Sequence, residues 1–174
     1  MNVAEPLFKA ETDRLSQFAD WYLSKLPDMP VKPPALASIA VVEGVSGVVL
    51  WREDDLQVQM FVCEPNTVIP AHTHPDVDSY EVHLTGGIDF YVDGKLALPH
   101  KAATKIKKDG TMKCYGWATR VRQNMAHSGK VGEQGAAFLS IQHWLNGVKP
   151  SSVGDNWHGH TMGNRHNQSI KAAL

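Results

Sequence analysis

Between residues 45 and 144 the chain breaks into short runs of β-branched, aromatic and aliphatic residues, each closed by turn formers, and nothing else narrows the fold as far. The runs are 45–52, 56–63, 67–74, 79–85, 88–92, 111–115, 118–122 and 136–144. Asp54-Asp55, Glu64-Pro65-Asn66, Gly86-Gly87, Asp93-Gly94 and Lys108-Asp109-Gly110 separate them, and these residue types take tight-turn backbone conformations at little cost. Strands this short and this closely spaced bury their apolar faces only against one another, which predicts an all-β sandwich or barrel. A chain of 174 residues with 43% hydrophobic content fills one such domain and leaves too little for a second.

The ends of the chain read differently. From residue 8 to residue 26, Leu15, Phe18, Ala19, Trp21, Tyr22, Leu23 and Leu26 recur at helical spacing, so an amphipathic helix is expected. Pro27, Pro30, Pro33 and Pro34 stop it, and the helix is expected to lie against the outside of the main domain. The resulting division is residues 1–34 for helix and linker, 35–145 for the barrel, and 146–174 for an irregular C-terminal tail packing on the barrel or trailing from it. Seventeen Lys and Arg against 18 Asp and Glu leave a net charge of −1, which argues against nucleic acid or an acidic membrane as partner and for a small molecule. Cys63 and Cys114 are too few for a disulfide framework or an all-sulfur metal site. The charged start of the chain lacks the apolar core of a secretion signal, and no run approaches the roughly 20 apolar residues of a membrane span, so a cytoplasmic location is expected.

Chemistry concentrates at His72 and His74, one residue apart in TVIPAHTHP. On an extended strand such residues project from one face, so two imidazoles point the same way. The stretch around them resembles the first motif of the cupin superfamily, G-x5-H-x-H-x3,4-E-x6-G. Asn66 stands where the family has its first Gly, and Asn best tolerates the positive φ of such a turn. Gly86 closes the motif at the length of its longer form. The family's Glu falls on Ser79, a poor metal ligand. Glu81 and His83 follow at period two and share its face, and a carboxylate reaches further, which favours Glu81 as the replacement; Asp78 faces the other way. The segment from Gly116 to His127, GWATRVRQNMAH, resembles the second motif, G-x5-P-x-G-x2-H-x3-N, with Arg122, Asn124 and Val131 in place of its Pro, second Gly and final Asn.

The resemblance spans residues 45–144 and implies a double-stranded β-helix, or jelly-roll barrel, of the RmlC-like single-domain type. It implies that His127 joins His72 and His74, with Glu81 as fourth ligand or general base, around one divalent transition metal ion: Fe, Mn, Ni, Co, Cu or Zn. His83 is expected to contact substrate. So is Gln142, which parity with Phe138 and Ser140 turns inward while His143 faces out. The expected activity is a dioxygenase-like, metal-dependent oxidoreduction of a small organic substrate that chelates the ion. The alternatives are a metal-assisted lyase or isomerase, or a non-enzymatic small-molecule binder. A homodimer is the oligomer that the family likeness implies. His158, His160 and His166 in the tail are expected to be surface residues.

Overall fold

The computed structural model describes residues 13–25, 39–98, 105–106, 112–113 and 118–151. Among the described residues one helix, α1 (Arg14–Lys25), precedes ten strands: β1 (Ile39–Val42), β2 (Val45–Glu53), β3 (Leu56–Cys63), β4 (Val68–His72), β5 (Val77–Val92), β6 (Lys95–Leu98), β7 (Lys105–Ile106), β8 (Met112–Lys113), β9 (Ala118–Val121) and β10 (His127–Trp144). All pairings are antiparallel, and β7 and β8 form a small separate ladder. The first part of the helix expected from residue 8, together with Leu26, Gly116, Trp117 and the tail histidines, lies outside the described residues.

Two long strands organise the sheet. The first half of β5 pairs with β9 and with the second half of β10, whose other edge carries β3, β2 and β1. The second half of β5 pairs with β6 and with the first half of β10, whose other edge carries β4. Each long strand therefore serves two layers, and the result is an all-β jelly roll with an N-terminal helix.

The sequence pattern splits residues 77–92 into two strands at Gly86-Gly87 and starts the last strand at residue 136. Pairing instead runs through both places. Ile88 opposes Val131 and Gly86 opposes Ala136, so four residues of β10 bulge against one of β5. Gly86 has φ +75° and Gly135 φ +72°, conformations that L side chains rarely adopt. The glycine pair bends a continuous strand rather than reversing the chain.

The bulge also switches which residues face inward. On β10, His127, Gly129 and Val131 point in before it, and Ala136, Phe138, Ser140, Gln142 and Trp144 point in after it. On β5 the inward set changes from Ser79, Glu81 and His83 to Ile88 and Phe90. One end of the interior is therefore apolar, with Phe61 stacked on Phe138 and edge-on to Phe90. The other end is polar, lined by Gln57, Gln59, Ser79, Glu81, His83, Ser140 and Gln142, all buried.

The outer face of β3, β5 and β10 presents Val58, Met60, Tyr80, Val82, Leu84, Leu139 and Ile141, and α1 covers them with Leu15, Phe18, Ala19, Tyr22 and Leu23. Asp13 caps the helix, accepting from the Ser16 backbone N–H at 2.9 Å. Trp51 closes one side of this contact with its ring 4.8 Å from that of Phe18. Arg120 fastens the other side: its guanidinium donates to Asp13 at 2.7 Å, to Asp78 at 2.9 Å and to the Tyr80 hydroxyl at 3.1 Å. The helix is thus an outer wall of the barrel and stays clear of its interior.

Candidate metal centre

β4 and the start of β10 are neighbours, and their register sets His72 directly opposite His127. The strand ends at His72, and His74 lies in the following turn, whose backbone carbonyl accepts from Asn124 N–H at 3.0 Å. Asn124 has φ +63° and Asn66 φ +61°, so both asparagines adopt the turn conformation expected of the glycines they replace. Gln123 binds the same turn from its backbone N–H to Asp78 at 2.7 Å and from its side-chain amide to the Pro75 carbonyl.

These contacts bring three imidazoles together. Ring centroids lie 4.1 Å apart for His72 and His127, and 5.0 Å for His74 with each of the others. One nitrogen from each ring falls within 4.8 Å of the other two. A backbone carbonyl only accepts hydrogen bonds, so a ring nitrogen beside one carries the hydrogen. His72 Nδ1 is 2.7 Å from the Pro70 carbonyl, and His127 Nδ1 is 3.2 Å from that of Met125. In both residues the lone pair is therefore left on Nε2, and the ring is held at a fixed tilt. Burial, together with the neighbouring His127, pushes the His72 imidazole down to about 3, against the opposing pull of the Pro70 carbonyl. His72 is thus neutral over the physiological range. Neutral imidazoles with oriented Nε2 atoms are the donor set of a divalent transition metal, and the residues present fit such an ion.

Glu81 is not part of the converging set. Its carboxylate Oε1 accepts from Ser79 Oγ at 2.7 Å and from Ser140 Oγ at 2.9 Å, and these two hydroxyls hold it to the inner wall. Burial raises its carboxyl to about 7, while the two hydroxyls pull it back toward the ionised form. His83 shares this face, is 1% exposed and lies opposite Phe138. Gln142 also faces inward, but its side-chain amide is engaged on both ends: Oε1 accepts from Gln57 and Trp144, and Nε2 donates to Gln59 and Ser140. His143 faces out toward Asp55, 3.1 Å away. Gln57 and Gln59 complete the polar wall with Ser140, and neither glutamine is singled out by the sequence motifs. The alternation of Gln with Leu, Val and Met in LQVQM was the available sign, since a strand covered on both faces spends no residue on solvent.

The strand order and the register of His72 with His127 make an antiparallel jelly roll whose interior gathers histidines from two neighbouring strands, the arrangement implied by the sequence's resemblance to cupins. No family model matches the sequence, and no curated protein matches it. Solved structures similar to the chain include KdgF from Halomonas sp., 13% identical with a TM-score of 0.49 over 62% of this chain and 84% of that one. An RmlC-like cupin from Shewanella frigidimarina is 14% identical, with a TM-score of 0.49 over 66% of this chain and 89% of that one. A predicted oxalate decarboxylase from Thermotoga maritima is 16% identical, with a TM-score of 0.47 over 63% and 91%. Among the described residues, no helix is long and apolar enough to cross a membrane.

Proposed function

We propose that the protein is a metal-dependent cupin enzyme acting on a small organic substrate that chelates the metal, with dioxygenase-like oxidoreduction as its reaction. The observation that carries this reading is the convergence of His72, His74 and His127, two of them with Nδ1 tied to a backbone carbonyl. A bound divalent transition ion would supply Lewis acidity toward a chelating substrate and, if redox-active, a route for electrons from substrate to O2.

The chain's own residues supply the rest. His72, His74 and His127 would hold such an ion, and its coordination would be completed by ligands from outside the cluster. Glu81, on the polar inner wall and outside the converging set, accepts the proton that a chelating hydroxyl or enol must lose. Its raised pKa suits a group that takes and returns a proton near neutral pH. Phe61, Phe90 and Phe138 form an apolar cluster in the interior, His83 shares the strand face of Glu81, and Gln142 reaches it through Ser140.

The same carboxyl, outside the histidine cluster, favours a second reading, a metal-assisted lyase or isomerase, in which proton movement at Glu81 is the chemical step. Oxygen uptake by the metal-loaded protein with enediols, 1,3-diketones and catechols separates the two. Substrate-dependent uptake abolished by His72→Ala supports the oxidative reaction. Substrate turnover without oxygen uptake contradicts it in favour of the second reading.

A further inference from the structure

Gln142 sits in a chain of hydrogen bonds whose direction is set from its ends. Arg52 Nε donates to Gln57 Oε1 at 2.6 Å, and Gln57 Nε2 donates to the Ser151 carbonyl at 3.1 Å and to Gln142 Oε1 at 2.9 Å. A guanidinium only donates and a backbone carbonyl only accepts, so the Gln57 amide has one orientation. Gln142 Oε1 also accepts from Trp144 Nε1 at 3.1 Å, and an indole N–H only donates. Gln142 Nε2 is thereby turned toward Gln59 Oε1 at 3.0 Å and Ser140 Oγ at 3.1 Å. With a lone pair taken, the Ser140 hydroxyl donates onward to Glu81 Oε1 at 2.9 Å, the atom that Ser79 Oγ reaches at 2.7 Å. The series ends with two hydroxyls, those of Ser140 and Ser79, donating to one carboxylate oxygen.

We propose that this chain holds Glu81 Oε1 as a permanent hydrogen-bond acceptor and reserves Oε2 as the atom at which Glu81 takes up and releases its proton, with Ser79, Ser140 and Gln142 as positioning residues. The inference rests on the reading of Glu81 as the proton-accepting group. The step itself is a simple transfer: a substrate O–H or C–H bond breaks, its electron pair stays on the substrate, and a new O–H bond forms at Oε2. A proton on Oε1 would oppose two hydroxyl hydrogens. Both serines would have to turn, and the turned Ser140 hydroxyl would meet the Gln142 amide hydrogens. Gln142 has no reversed orientation open to it, because Gln57, Trp144 and, through Gln57, Arg52 and Ser151 all oppose it.

The strand that carries Glu81 offers Ser79 and His83 on the same face, β9 sets Thr119 opposite Glu81, β10 sets Ser140 opposite it on the other side, and β3 contributes Gln59 and Gln57 through Gln142. His83 is the titratable neighbour and Arg52 the charged terminus. Burial raises the Glu81 carboxyl and the two hydroxyls lower it, as expected for a carboxylate whose polarity comes from this chain alone.

The test is carbon-13 NMR of the full-length protein labelled at the glutamate carboxyl, titrated with and without zinc, with the Glu81 signal assigned by its loss in Glu81→Gln. The wild-type signal should titrate near about 7. Ser140→Ala should raise that midpoint by about one pH unit, and Ser140→Thr, which keeps the hydroxyl, should restore it. Gln142→Met does not touch Glu81, yet it should raise the midpoint too, because the Ser140 hydroxyl becomes able to turn and accept. An unmoved midpoint in folded Gln142→Met overturns the proposal, and so does an unmoved midpoint in Ser140→Ala should the first variant fail to fold. The readout needs no turnover, so a negative oxygen-uptake assay and a failed hydrogen-bond chain remain separate results.

Discussion

A carboxyl group sealed inside a barrel keeps its charge only through the hydrogen bonds that replace water, and Glu81 has two, both on the same oxygen. Its rise from 4.5 to about 7 corresponds to roughly 3 kcal/mol of preference for the protonated form. Between those two values the folded protein holds more protons than the unfolded chain, so this group's contribution to stability is complete below 4.5 and is lost as pH rises to about 7. His72 acts in the opposite sense. Its pKa falls from 6.5 to about 3, so in that window the unfolded chain holds more protons and stability rises with pH. In protein stripped of metal by a chelator the two effects partly cancel. Glu81→Gln removes one of them: thermal unfolding should show the variant gaining on the wild type above about pH 7, by up to roughly 3 kcal/mol, with the advantage fading below about pH 5. An advantage independent of pH would refute the assignment of Glu81 as the titrating group.

At the scale of elements, the bend shared by β5 and β10 decides which side chains see the interior. A Cβ at Gly86 would overlap the Gly135 carbonyl oxygen and lie 2.7 Å from Ala136 Cα, with φ already at +75°. Gly86→Ala should therefore cost more than about 2 kcal/mol in urea unfolding, whereas Gly94→Ala, which meets nothing, should cost only the strain of its own φ, about 1 kcal/mol. Most of the strand boundaries were legible from turn chemistry: residues 56–63 form β3 as expected, and Asn66 and Asn124 mark left-handed turns. What misled the pattern was Gly86-Gly87, because a glycine pair marks a hairpin and a bend with the same letters. The inward placement of Ser140 and Gln142 followed from parity, but parity counted back to His127 would have turned it outward. Only the four-residue bulge restores it, and the bulge has no periodic signature. Strands β1 and β6 were missed for a related reason, since four-residue edge strands give alternation too little length to register.

For the molecule as a whole, α1 closes the outer face of the sheet that carries the polar wall on its inner side. The helix was readable from its apolar spacing. Its anchor was not, because Asp13, Asp78, Tyr80 and Arg120 are scattered in sequence and meet only through the fold. Arg120 is 10% exposed in its side chain while Asp13 is 45% exposed, so solvent screens part of the pair. Arg120→Met should still cost about 2 kcal/mol, chiefly by leaving Asp78 half-buried without its cation. Tryptophan fluorescence should follow the loss, since Trp21 and Trp51 pack beside Phe18 at this contact. Unchanged stability would mean that apolar burial alone docks the helix.

Metal binding at the three-histidine cluster is the property on which every proposed role of the other residues depends. Elemental analysis of the protein as purified, beside a His72→Ala, His74→Ala double variant of equal fold content by circular dichroism, tests it most directly. A divalent transition metal bound one to one in the wild type and absent from the variant is the predicted result. No bound metal in the wild type, or the same metal content in both proteins, would contradict it.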